Sequence, residues 1–237
     1  MKTFSQYISF ISEDSNFNIA VDEIKYGSPT EEQRERMNRP LNYFSSDVLD
    51  LITMGGPPSN SSDLTQKEIF YLLKLIDNRT EEDAEKFNKY DEHFSPYFIN
   101  YAKDNDLEFD EEEIRDIRRE AANVMLISKF HFNRPRPHQL GVVLGTEIRS
   151  MNTESGHTPA YPSGHAAQSR LIALVLSDKN PDHQEQLMKL ADDIALSREL
   201  GGVHYPSDND FGKKVGDMLY SNLMREEYPM SMDGDDQ

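Results

Sequence analysis

The chain has 237 residues, with 43 acids against 25 lysines and arginines, a net charge of −18 and no cysteine. That length suits one large domain or two small ones, with a core that needs no covalent staples. The charge argues against nucleic acid or an anionic membrane surface as a partner, and the absent thiols exclude disulfides and thiolate metal sites.

In chain order, MKTFSQYISFISEDSN does not read as a signal peptide. Ser5, Gln6 and Ser9 break its apolar stretch, and Glu13 and Asp14 follow at once. The expected location is therefore the cytoplasm rather than the periplasm or outside. SPTEEQRERM predicts a helix with Ser28 as N-cap and Pro29 at its first position. TMGGPPSNSSD, Thr53 to Asp63, is the one linker-like stretch. It divides an N-terminal helical segment of open role (1–60) from a helical core (61–227), with a disordered acidic tail at 228–237. LTQKEIFYLLKLIDN carries Thr65 and Glu68 spaced as a capping box, and Thr80 and Asp83 repeat the pattern before the next helix.

DEEEIRDIRREAANVMLISKF is the strongest helix. Ile114, Ile117, Ala121, Met125 and Leu126 recur at three- and four-residue spacing and define a buried face. HQEQLMKLADDIALSREL and SDNDFGKKVGDMLYSNLM predict two more helices. No repeat or β-hairpin is evident, so the expected fold is an all-α bundle. The longest clean apolar run is Leu171 to Leu176, far short of the roughly 20 residues of a bilayer span.

Charge breaks pattern in the middle of the chain. Nine acids run from Asp104 to Glu120, and none from Ala121 to Thr146. That acid-free window holds SKFHFNRPRPHQ, with Lys129, His131, Arg134, Arg136 and His138. Lys129 alone could answer a helix dipole, but Arg-Pro-Arg-Pro cannot continue a helix. It reads as a rigid loop aiming guanidinium groups, whose planar forks suit phosphate oxygens.

Pro162-Ser163-Gly164-His165 stands directly before an apolar helix. A helix starting there turns its first N–H groups outward as an anion site. Gly164 admits an oxyanion close to the backbone, Ser163 adds a hydroxyl, and His165 sits beside the anion as an acid or base. Further on, SRELGGVHYPSD spaces His204 and Asp208 four apart. A carboxylate can fix an imidazole tautomer and leave the other nitrogen to attack, or the pair can simply lock two helices. Arg198 supplies another guanidinium.

Together these elements resemble the superfamily of type 2 phosphatidic acid phosphatases, class A bacterial acid phosphatases and vanadium haloperoxidases. Lys129-x6-Arg136-Pro137, Pro162 to His165 and Ser197-Arg198-x5-His204-x3-Asp208 match its three signatures in order, and the spacing selects Arg136 over Arg134. The resemblance implies a compact helical bundle of the acid phosphatase and haloperoxidase type. It implies that Lys129, Arg136 and Arg198 bind phosphate oxygens, completed by Ser163 and the Gly164 N–H. His204 would attack phosphorus, Asp208 would orient it, and His165 would protonate the leaving oxygen. No metal is required by this scheme; vanadate, where bound, would sit at His204 as an inhibitor or, in a haloperoxidase, as the cofactor. TPAYPSGHA is similar to haloperoxidases, whereas the short gap from 166 to 196 is similar to acid phosphatases. The expected function is a phosphatase acting on a small phosphorylated substrate, as a monomer or an oligomer. A vanadate-dependent haloperoxidase and a non-catalytic binding protein on the same fold are the alternatives. His131 and His157 flank the site in sequence as candidate specificity residues.

Overall fold

The computed structural model describes residues 15–91, 93–153 and 156–227; most of the N-terminal stretch read as not a signal peptide, and the acidic tail 228–237, lie outside them. Among the described residues the fold is helical throughout, with no strand. In order the helices are α1 (Ser15–Asp22), α2 (Glu31–Met37), α3 (Asp47–Thr53), α4 (Asp63–Asp77), α5 (Glu81–Asp91), α6 (Ser95–Asp104), α7 (Glu111–Phe132), α8 (Pro137–Val143), α9 (Gly164–Lys179), α10 (Gln184–Leu200) and α11 (Pro206–Glu227). None is long and apolar enough to cross a membrane.

The buried centre is α9, which packs against α7, α10 and α11. Residues on every side of it are buried, from Ala167 and Leu171 to Gln168 and Ser169, as expected of a helix enclosed by others. Two glycines of α11 permit the close approach: a Cβ at Gly212 would lie 2.6 Å from the Ser163 carbonyl oxygen, and one at Gly216 2.7 Å from that of Ala167. On α7 the predicted face is buried throughout, Ile114, Ile117, Ala121, Met125 and Leu126 alike. Asp110 caps it by accepting from the N–H groups of Glu112 and Glu113.

The segment before residue 60 shares this core: Phe44, Val48 and Ile52 pack in one apolar cluster with Ile117 and Leu219. Glu120 pins it. Although it ends a run of acids, Glu120 is buried and accepts from the backbone N–H groups of Asn42, Tyr43 and Phe44 at 2.7–2.9 Å.

Two expected caps fall elsewhere. Thr30, not Ser28, caps α2, because Thr30 and Gln33 form a reciprocal capping box. Ser62 caps α4, which puts Thr65 and Glu68 inside the helix and releases both for the buried site described below. The Thr80–Asp83 box before α5 is present.

Candidate active site

Four helix ends meet at one place: the last turn of α7, the first turn of α9, the last turn of α10 and the start of α11. α7 stops at Asn133, which adopts φ +56°, and residues 133–136 are non-helical, as the prolines demand. Arg134 and Arg136 go to different partners: Arg134 to Asp208 and Glu68, Arg136 to Val203, Thr158 and His204.

Arg136 faces the pocket. Its Nη1 donates to the Val203 carbonyl at 2.7 Å and to His204 Nε2 at 3.0 Å, and its Nε donates to the Thr158 carbonyl at 2.8 Å. Lys129 does not answer the α7 dipole. Its Nζ crosses to the carbonyls of Pro159 and Ala160 at 2.7 and 3.3 Å. Arg198 donates to Asp91 Oδ1 at 2.7 Å and to Thr153 Oγ1 at 3.1 Å, and its guanidinium lies 4.3 Å from the centre of the Phe87 ring. Burial and mutual repulsion hold the Lys129 ammonium well below its usual range. Burial lowers the Arg136 and Arg198 guanidinium values to about 10.

His204 precedes α11, and Asp208 reaches back across the first turn of that helix. His204 Nδ1 and Asp208 Oδ2 are 3.1 Å apart, and the same oxygen accepts from the Tyr205 N–H at 2.9 Å. The tautomer follows from the partners. A guanidinium can only donate, so Nε2 accepts from Arg136, and the ring proton sits on Nδ1, facing the carboxylate. Burial, then the charges of Arg136, Lys129 and Arg198, push the His204 pKa well below 6.5. The ring is thus neutral at neutral pH, with a lone pair on the nitrogen aimed at the cations.

Asp208 is itself held from behind. Arg134 donates from Nη1 to Asp208 Oδ1 at 2.6 Å and from Nη2 to Glu68 Oε2 at 3.1 Å, and stacks 3.8 Å from the Tyr205 ring centre. Glu68 also accepts from the Ser207 N–H at 2.6 Å. Arg134→Met leaves two buried carboxylates facing one another without their cation. Breaking such a pair costs about 3–5 kcal/mol, or on the order of 10 °C in melting temperature for a chain this long. Thermal unfolding of Arg134→Met beside the wild type measures it, and a shift under about 2 °C contradicts this account.

His165 Nε2 donates to the Asp91 carbonyl at 3.0 Å, and its ring meets Phe94 at 5.2 Å. Burial, then Arg198, lowers its pKa well below 6.5. Ser163 caps α9 through an Oγ that accepts from the Ala166 N–H at 3.4 Å, so its hydroxyl serves the helix here. At Gly164 an added Cβ would lie no closer than 3.4 Å to any neighbour, and 3.7 Å from Lys129 Cε. Packing tolerates a side chain there; what it would occupy is the space in front of Lys129.

These groups surround a pocket of about 260 Å³ whose lining includes Lys129, Arg136, Gly164, His165 and His204. Ser163, Arg198 and Asp208, also expected at the site, are set back from that lining. His157 is on the wall, but His131 is exposed and away from it. Among the described residues, Lys129, Arg134, Arg136 and Arg198 gather here with three carboxylates, Glu68, Asp91 and Asp208. Asp91 and Glu68 escape a reading of the sequence. Asp91 stands among the acids of KYDEHF, where nothing marks it, and Glu68 has the spacing of a capping residue.

Residues 120–219 match the family model of the PAP2 superfamily. Over 64 residues the chain is 41% identical to a non-specific acid phosphatase of Salmonella typhi, and equally to one of Providencia stuartii. The match takes in 27% of this chain and spans about a quarter (26%) of the length of those relatives. A bacterial vanadium-dependent iodoperoxidase shares the fold with a TM-score of 0.62 at 18% identity, over 86% of this chain and 60% of its own. A bacterial vanadium-dependent chloroperoxidase does so at 0.53 and 14%, over 81% and 54%. The helical fold is shared with these two peroxidases, and residues 120–219 match the PAP2 superfamily model.

Proposed function

We propose that the chain is a phosphatase that hydrolyses phosphate esters through a phosphohistidine at His204, without a metal. The observation that carries this reading is a neutral His204 whose tautomer is set by Asp208 and whose Nε2 accepts from Arg136 in a pocket that Lys129 also lines. Phosphoryl transfer asks mainly for positioning and for charge stabilisation of the equatorial oxygens. Lys129, Arg136 and the N–H of Gly164 supply the donors at the surface, and Arg198 adds charge from behind. Gly164 lines the pocket beside Lys129, and a residue without a side chain there lets an anion approach the backbone.

In the first step the Nε2 lone pair forms the N–P bond as the P–O bond to the leaving group breaks, and His165 passes a proton to the departing oxygen. Arg136 exchanges its bond to Nε2 for a phosphate oxygen. In the second step water attacks phosphorus, His165 takes its proton, and the N–P bond returns its electrons to His204. A bound phosphate dianion offsets the cations that depress His165 and so favours the protonated ring when substrate is present.

Hydrolysis of a chromogenic aryl phosphate across pH, in excess chelator, tests the reading. Turnover should resist chelation. After correction for the substrate's own ionisation, kcat/KM should hold as pH falls through 6.5, because His204 titrates lower and remains a nucleophile in acid. Chelator-sensitive turnover sinks the metal-free route. No turnover, with bromide oxidation in the presence of vanadate and peroxide, moves the same cradle to a haloperoxidase, in which Lys129, Arg136 and Gly164 would hold vanadate facing His204.

A further inference from the structure

Part of the pocket lining comes from outside the 120–219 segment. α2 lies against α7, and its Gln33 and Arg36 line the pocket together with the apolar Ala122, Met125 and Leu126. The segment leading into α2 is tied down at several points. The Tyr26 N–H donates to the Asn133 carbonyl at 3.0 Å, the Tyr26 hydroxyl to the Gly156 carbonyl at 3.0 Å, and Gln33 Nε2 to the His157 carbonyl at 2.8 Å. Gly27 and the Asn133 side chain exchange two further hydrogen bonds. The rim is thus anchored to the loops that carry the catalytic groups.

Arg36 is half-buried there, and among the described residues no carboxylate lies within ion-pair distance of it. In a chain of net charge −18 that is unusual company for an arginine; its neighbour Arg34 pairs with Glu31. A phosphate ester seated at His204 shares this pocket with the apolar Ala122, Met125 and Leu126 and with Arg36.

We propose that the preferred substrate is a phosphate ester whose leaving group joins an apolar middle to a second anionic group, and that Arg36 binds that group. This rests on the reading of the pocket as a phosphate-ester site. The second anion has one recognition chemistry, oxygens that accept from a guanidinium fork, and two sources, a carboxylate or a further phosphoryl group.

Calorimetric binding of three non-hydrolysable probes separates these. Benzylphosphonate has one anionic group, para-carboxybenzylphosphonate adds a carboxylate, and para-xylylene diphosphonate adds a phosphonate. Wild type should bind at least one of the doubly anionic probes about tenfold more tightly than benzylphosphonate. In Arg36→Gln that ratio should fall to near one, with partial recovery in Arg36→Lys. A gain with the diphosphonate alone assigns a phosphoryl group, a gain with the carboxylate alone assigns a carboxylate, and a gain with both assigns any oxyanion of that reach. A ratio near one in wild type, or one unchanged in Arg36→Gln, overturns the proposal; a uniform loss across all three probes means Arg36 only raises the local potential, and overturns it too. Phenyl phosphate turnover is read on the same preparations. If the ratio behaves as expected but turnover is absent, the phosphatase reading fails and the second anion site stands. If no probe binds, both fail.

Discussion

His204→Ala should lose turnover of an aryl phosphate by about 10⁴-fold or more, the scale seen when a covalent nucleophile is removed. The expectation rests on how the ring is held. Asp208 takes the Nδ1 proton and Arg136 donates to Nε2, so one nitrogen is committed and the other is presented. His165 commits Nε2 to the Asp91 carbonyl and serves as the proton carrier, while Lys129 and Arg136 in the lining act as donors. Loss of fold is separable from loss of chemistry, because Lys129, Arg136 and Gly164 remain and the variant should still bind orthovanadate or phosphate, with weaker affinity. A folded, anion-binding His204→Ala protein that retains a tenth or more of wild-type turnover would rule out the covalent route. Water attacking directly would then be the better account.

Asp91→Asn should lower kcat/KM about 10²-fold, the cost of disturbing one preorganised charge-stabilising group. Asp91 touches two members of the site by different atoms: its carboxylate accepts from Arg198, and its backbone carbonyl accepts from His165. Asparagine keeps an oxygen for Arg198 and leaves the main-chain carbonyl in place, but removes the charge that offsets a buried guanidinium. Asp91→Ala goes further and leaves Arg198 buried without its carboxylate, at a cost of about 3–5 kcal/mol. Asp91 is a positioning residue in this account, so the loss should appear in kcat more than in KM. It should be greater for esters with poor leaving groups, which depend on the proton from His165. The measurement is kcat and KM of Asp91→Asn on two aryl phosphates of different leaving-group acidity, with thermal unfolding as the control. A fall in stability with kcat and the leaving-group dependence unchanged would make Asp91 a structural residue only.

The two residues differ in how they could be found. His204 and Asp208 are near in sequence, and their spacing with Arg198 repeats a known signature. Asp91 meets Arg198 across 107 positions, as one of several acids at the end of α5. Glu68 is similar: its spacing from Thr65 suits a capping box, and only the actual cap at Ser62 shows that it is buried against Arg134. Distant ion pairs impose no period on the chain, so no local pattern announces them.

What the sequence by itself determined was the helical class, the buried face of α7, the burial of α9 and the short motifs that carry Lys129, Arg136, His165 and His204. Those follow from local rules: apolar spacing reports which face of a helix is buried, proline ends α7, and a short motif keeps its geometry because its residues lie within a turn of one another. Only the tertiary structure decided the rest. It sent Arg134 behind Asp208 and Arg136 toward His204, turned the Ser163 hydroxyl to its own helix, and set Arg198 and Asp208 back from the pocket lining. It recruited Asp91 and Glu68, and laid α2 against α7 with Arg36 in the pocket lining. Each of these depends on which elements come together after the helices pack, and the drive to bury apolar surface that assembles them is non-directional, leaving the choice of polar partner to the finished fold.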